Sequence, residues 1–232
     1  VIFVIGIAIF AFGISILFKG INIKKNTEAV DAKVMTIIIE EAEYDEINRI
    51  VTDNADIPTI FEYVLGIIWY KISDKKGRIL DYLKLSLDSD LMPISHAVGG
   101  DADIVYEYDE TPCYPKHTLL LEATLADSTN QRRMEMEPVS RHLGNHLIET
   151  KNLDSYCVFV TNKLHINVIS DFRVRKFAYY YNTQNLNEYI VGMKIIPVNI
   201  IDLKYIINPV STFEPAIYTD IPRIMQNEKG LE

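Results

Sequence analysis

Thr118-Leu119-Leu120-Leu121-Glu122-Ala123-Thr124-Leu125 is the stretch on which the architecture turns. It is short, dominated by leucine and preceded by a loop holding Pro112 and Pro115, which predicts a strand. Working upstream, Asp103-Ile104-Val105-Tyr106-Glu107-Tyr108 follows the Gly99-Gly100 turn and predicts its hairpin partner. Working downstream, a helix is expected from about Pro138 through Val139, Leu143, Leu147 and Ile148, with proline suited to the first turn. The strand Tyr156-Cys157-Val158-Phe159-Val160 follows it. Further on, a strand over Met193 to Val198 precedes a helix near Asp202 to Ile207. Helix, strand, strand, helix, strand is the order of a mixed α/β layer fold, a central sheet flanked by helices.

Asp56-Ile57-Pro58 supplies a helix start, and Phe61, Val64, Leu65, Ile68 and Trp69 continue it at helical spacing with Glu62 in its first turns. Lys75-Lys76-Gly77 ends that element, and a second stretch of apolar periodicity runs from Ile79 to Leu87 before the Pro93 and Gly99-Gly100 breakers. Between Glu28 and Glu62 ten acidic residues face two basic ones, Lys33 and Arg49, while Val34, Ile37, Ile38, Ile47 and Val51 recur at helical spacing. Acidic, solvated helices are expected there. We divide the chain into an apolar segment over 1–25, an acidic helical linker over 26–56 and a main domain over 57–232.

The chain has 232 residues, 48% hydrophobic and 24% charged, which suffices for a large core and excludes disordered and collagen-like classes. Two cysteines, Cys113 and Cys157, give neither a disulfide framework nor a four-ligand zinc spacing. A cytoplasmic location is expected. Val1 to Phe18 carry no charged side chain and are followed by Lys19, Lys24 and Lys25. Two readings stay open for them: a membrane anchor with everything downstream in the cytoplasm, or a buried element whose neighbours lie upstream of a chain that opens on Val. The net charge of -9 argues against a general nucleic-acid binder. Its distribution qualifies that, because eight basic residues face five acidic ones between Arg132 and Lys176.

Glu122 lies among apolar strand residues, where a carboxylate is costly to bury unless its charge is compensated. A divalent cation shared with Asp103 would do so, since Mg²⁺ takes oxygen ligands from one or two carboxylates and leaves room for phosphate. The commoner alternative is a solvated Asp103 and a salt-bridged Glu122. Gly99-Gly100-Asp101-Ala102-Asp103 with the strand that follows, Leu120-Leu121-Glu122-Ala123-Thr124-Leu125 and Val139-Ser140-Arg141-His142-Leu143 together are similar to the AlwI-like type IIS restriction endonucleases, of the PD-(D/E)xK nuclease superfamily. The similarity runs from about Ile57 to Ile207, includes Phe61-Glu62-Tyr63, and is not detected in residues 1 to 50.

That resemblance implies a nuclease fold and Mg²⁺-dependent hydrolysis of phosphodiester bonds in double-stranded DNA. It also implies a second subunit or separate domain that reads the recognition sequence, and a cognate DNA methyltransferase as partner. Carried over by position, Asp103 and Glu122 match metal-binding acids, Glu62 a helical carboxylate that joins them, and Glu135 a further acid that completes the site. Thr124 departs from the superfamily pattern, standing where a lysine would orient the attacking water. Glu135, Gln131 or a nearby arginine is then expected in that role. Arg132, Arg133 and Arg141 are candidates for phosphate contact, with a solvated pair the alternative for Arg132 and Arg133. The rival reading is a noncatalytic, membrane-tethered subunit that keeps the nuclease fold as an interaction or DNA-holding module.

Other constellations carry less. His142 and His146 stand four apart without the glutamate of a metalloprotease motif, so His142 is expected as polar support and His146 at the surface. Ser95-His96 shows no nucleophile elbow, Cys157 reads as a core residue, and Tyr179-Tyr180-Tyr181 reads as structural before base stacking.

Overall fold

The computed structural model describes residues 33–35, 38, 44–73, 78–97, 99–100, 102–126 and 128–207. The apolar segment Val1 to Phe18 lies outside them. Among the described residues no helix is long and apolar enough to cross a membrane.

Helix α1 (Tyr44–Ile50) leads into α2 (Ile57–Ile72). Asp56 caps α2: its carboxylate accepts a 2.9 Å hydrogen bond from the Thr59 N–H, and Pro58 occupies the first turn, where no backbone donor is needed. A hairpin of β1 (Ser86–Leu87) and β2 (Pro93–Ser95) follows. The stretch from Ile79 to Leu87 is helical only over the short turn Ile79–Asp81. From Leu83 onward burial alternates, Leu83 and Leu85 inward and Lys84 and Ser86 outward, so the period is that of extended chain.

Then come β3 (Ile104–Tyr108), β4 (His117–Thr124), α3 (Ser128–Met134), α4 (Met136–Thr150), β5 (Tyr156–Thr161), α5 (Ile166–Arg175), β6 (Tyr179–Tyr181), β7 (Tyr189–Val191), β8 (Ile195–Asn199) and α6 (Ile200–Ile207). Four strands form the central sheet in the order β3-β4-β5-β8. β3 is antiparallel to β4, with Ile104 opposite Leu121. β4, β5 and β8 run parallel, with Thr124 opposite Thr161 and Thr161 opposite Asn199. The expected mixed sheet flanked by helices is the observed fold.

Every residue of β4 is buried, because helices cover both faces of the sheet. On one face Leu119, Leu121 and Ala123 pack with Val158, Val160 and Ile60, Phe61, Val64 and Leu65 of α2. Val34, Met35, Ile38 and Ile47 join that cluster, so the segment read as an acidic linker contributes to the core. α2 comes close at Gly66, where a Cβ would stand 2.6 Å from Leu83 Cδ2. On the other face Leu120, Cys157 and Phe159 pack against Val139, Leu143 and Leu147 of α4 and Val168 and Phe172 of α5.

The β6–β7 hairpin lies against α4 at Gly144, where a Cβ would meet the Tyr180 ring at 2.4 Å. Tyr180 donates its hydroxyl to Asn145 Oδ1 at 2.9 Å. Tyr179, Tyr181 and Tyr189 occupy the outer face, ring against ring. At the far end of the β3–β4 hairpin, Cys113 is exposed, whereas Cys157 is buried.

Candidate active site

The parallel strands β4, β5 and β8 all end on one side of the sheet, the side where open α/β sheets form their sites. Because β3 is antiparallel, its start lies there too. Asp103 immediately precedes Ile104, whose partner is Leu121, so Asp103 falls beside Glu122 by register. Asp103 Oδ2 accepts a hydrogen bond from the Ala123 N–H at 2.9 Å. The structure therefore brings together the two strand acids that the sequence singles out.

Glu122 alternates with Leu120 on the face covered by α4, and 6% of it is exposed. Its Oε1 lies 2.7 Å from His142 Nδ1. Burial raises its pKa to about 8, aided by the Glu135 charge and opposed by its hydrogen bond with the Asp103 backbone and by Arg141. Burial likewise pushes Asp103 well above the usual carboxylate range, reinforced by Glu122, while the Ala123 hydrogen bond opposes the rise.

Glu62 reaches the same end of the sheet from α2. It is 4% exposed, and burial raises its pKa to about 10, with the charges of Asp103, Asp56, Glu122 and Glu135 adding to the rise. Its Oε1 lies 2.7 Å from His96 Nδ1. Its Oε2 is shielded from water and has no hydrogen-bond partner.

Glu135 stands between α3 and α4. It occupies the N-cap position of α4, yet its carboxylate makes no capping bond. Oε1 instead accepts from Thr124 Oγ1 at 2.7 Å. Burial raises its pKa, opposed by that hydrogen bond and by His142 and His96. The Thr124 hydroxyl also accepts from the Ala126 N–H at 3.0 Å, so Thr124 is engaged on two sides.

Gln131 is committed to other partners. It is fully buried, its amide nitrogen donating to the Ala126 and Lys163 carbonyls and to Thr161 Oγ1, and its oxygen accepting from the His165 N–H. It is a structural bracket. Arg141 pairs with Glu137 across one helical turn at 2.9 Å and is near enough to Glu122 to influence its charge. Arg132 is exposed on α3, and Arg133 is on the same helix with its side chain outside the described residues. His146 is not a surface residue: it is half-buried, its Nε2 lacks a partner, and burial lowers its pKa.

His96 is the site residue that sequence reasoning missed. Neighbouring Ser95 drew attention only to a nucleophile pattern, and no local signal ties a loop histidine to a glutamate 34 positions upstream.

Four carboxylates, from a helix, the residue before β3, strand β4 and a helix junction, thus share a poorly hydrated spot in which Asp103, Glu122 and Glu135 raise the pKa of neighbouring acids. Such a group could hold a divalent cation, and Glu62 Oε2 is a buried oxygen without a hydrogen-bond partner. Among the described residues no three His, Cys, Asp or Glu side chains form a ready-made metal cage. A cation here would draw on one or two carboxylates at a time, with water and phosphate oxygens completing its shell.

A model of the AlwI restriction endonuclease family matches residues 18–206. The chain belongs to that family. The match begins well upstream of Ile57, in keeping with the core packing of Val34, Ile38 and Ile47. Among solved structures, this AlwI-family chain is similar to the small subunit (R.BspD6I2) of the heterodimeric restriction endonuclease R.BspD6I. The likeness has a TM-score of 0.55 at 20% identity and covers 82% of this chain and 86% of the other. At that identity it is a likeness of fold. No curated protein matches the chain.

Proposed function

We propose that this chain is the catalytic subunit or domain of a type IIS restriction endonuclease, hydrolysing phosphodiester bonds in double-stranded DNA with Mg²⁺. The observation that carries the reading is the gathering of Glu62, Asp103, Glu122 and Glu135 at one end of the sheet, where Asp103, Glu122 and Glu135 each raise the pKa of at least one of the others. A fold gains nothing from concentrating buried negative charge unless a cation is to be held there.

Asp103 and Glu122 would hold the cation, with Glu62 contributing Oε2. When bound, a divalent cation makes water a usable nucleophile near neutral pH and offsets the charge developing on the phosphate. In this reading Glu135 takes the proton of the attacking water on Oε2, since Oε1 is engaged by Thr124. Arg141, with Arg132 and Arg133, would neutralise phosphate oxygens beside the carboxylates. Recognition would come from a second subunit or domain; the fold neighbour is itself one subunit of a heterodimer. Modification of the same sequence would fall to a cognate DNA methyltransferase.

One observation favours a second reading, a noncatalytic DNA-holding subunit: a neutral threonine stands at the lysine position. Plasmid DNA incubated with the chain at low salt, with Mg²⁺ or with EDTA, separates the two. Nicking or linearisation that requires Mg²⁺ and disappears in Glu122→Ala supports catalysis. Cleavage that survives EDTA or that substitution overturns it. Calorimetric titration with Mg²⁺ in which wild type binds and Asp103→Ala does not would place the cation on these acids even if cleavage awaits a partner.

A further inference from the structure

The site as proposed leaves His96 without a task. Its loop follows β2 and lays the ring along the first turns of α2, against residues spaced by three on one helix face. Nδ1 is 2.7 Å from Glu62 Oε1, and Nε2 is 3.1 Å from Thr59 Oγ1 and 3.5 Å from Asp56 Oδ2. Asp56 is itself fixed, because its other carboxylate oxygen caps α2 through the Thr59 N–H. Thr59 is 1% exposed. The imidazole is therefore anchored at Nε2 by Thr59 and Asp56, while Nδ1 is turned to Glu62.

Glu62 is the opposite case. A glutamate has three rotatable bonds and two equivalent oxygens, so burial alone does not decide which oxygen is presented or in what plane. The hydrogen bond to His96 decides both. It engages Oε1 and leaves Oε2 as the partnerless buried oxygen. With the carboxylate ionised, Nδ1–H donates to Oε1 and the Thr59 hydroxyl donates to Nε2, which gives every atom in the chain a consistent role.

We infer that His96 is a positioning residue that fixes the Glu62 carboxylate so that Oε2 is turned toward the cation held by Asp103 and Glu122. The inference rests on the cation-binding reading of the acids. A histidine serving only to tie the β2 loop to α2 would not need to consume one oxygen of a buried site carboxylate, and Thr59 would suffice as its anchor.

Mn²⁺ affinity of the full-length chain, followed by electron paramagnetic resonance, tests this without reliance on turnover. His96→Ala should weaken Mn²⁺ binding by roughly tenfold or more, the scale seen when an outer-shell partner of a ligand is lost. His96→Gln, whose amide N–H can donate to the same oxygen, should recover most of that loss. In a Glu62→Gln background, where the ligand is already compromised, His96→Ala should add little. Equal weakening in both backgrounds, an unchanged affinity in His96→Ala, or no recovery in His96→Gln would each overturn the inference. Asp103→Ala and Glu122→Ala keep the two proposals apart. If both retain wild-type Mn²⁺ affinity, or if wild type binds none, the cation reading itself falls and takes the inference with it. If both lose it while His96→Ala changes nothing, only the role of His96 is refuted.

Discussion

The two faces of β4 solve burial in different ways. Toward α2 the strand presents Leu119, Leu121 and Ala123, and the helix meets them with Ile60, Phe61, Val64 and Leu65. Toward α4 it presents Leu120, Glu122 and Thr124, and the apolar character stops halfway along. Each buried residue on the first face contributes to stability, whereas Glu122 on the second detracts from it, its carboxyl held up to about pKa 8 by burial and a like charge. A single strand thus divides into a half that holds the fold together and an end that the fold tolerates for chemistry.

Substitutions on each side sharpen that division. The largest effect on activity is expected from Asp103→Ala and Glu122→Ala, each of which should abolish cleavage while the far-ultraviolet circular dichroism spectrum stays native; near-wild-type cleavage by either would sink the assignment. Leu121→Ala, on the apolar face, should do the reverse. It removes a fully buried side chain and should cost about 2–5 kcal/mol in urea unfolding, so a loss below 1 kcal/mol would mean that the α2 face is not the stabilising one. Third, Glu135→Gln keeps shape and hydrogen bonding but deletes charge, and should lower turnover by about two orders of magnitude. Thr124→Val should be mild. Turnover unaffected in Glu135→Gln and lost in Thr124→Val would pass the role to the threonine hydroxyl.

A smaller effect concerns pH. Glu62, Asp103 and Glu122 have raised pKa values in the folded chain, so between about pH 5 and 10 the native state binds more protons than the unfolded one. Metal-free stability should therefore be greatest below the ordinary carboxylate range and decline as pH rises through about 8 and then about 10. Glu122→Gln should flatten the part of that decline between about pH 5 and 8, and Mg²⁺ should raise the melting midpoint most at the alkaline end. A melting midpoint that rose with pH in the metal-free chain would contradict the electrostatics described for this site.

Much of this was legible in the sequence, and the remainder was hidden for definite reasons. β3, β4 and β5 are short apolar runs set off by turn residues, and α2 carries its start signal in Asp56 and Pro58, so local chemistry suffices to find them. Asp103 and Glu122 become neighbours by simple hairpin register. α5 escaped notice because its pattern is weak: Val168 and Phe172 point inward, but Ile166 and Val174 are exposed and blur the periodicity. Gln131 sits in a polar stretch that reads as solvent-facing, whereas its burial follows from backbone groups on two loops that it joins. His96 and Glu62 meet through tertiary packing, which leaves no spacing to detect.

The β3–β4 hairpin has a practical consequence for anyone handling the molecule. Its acids lie at one end and its connecting loop at the other, with about 17 Å of strand between His117 and Glu122 at ~3.4 Å per residue. Cys113 in that loop is exposed, while Cys157 is sealed in the core with its thiol pushed well above its ordinary pKa by burial. A maleimide reagent therefore has one place to go. A dye or a surface tether introduced there attaches without mutagenesis, at the end of the hairpin opposite the carboxylates, and leaves the business end of the sheet facing outward.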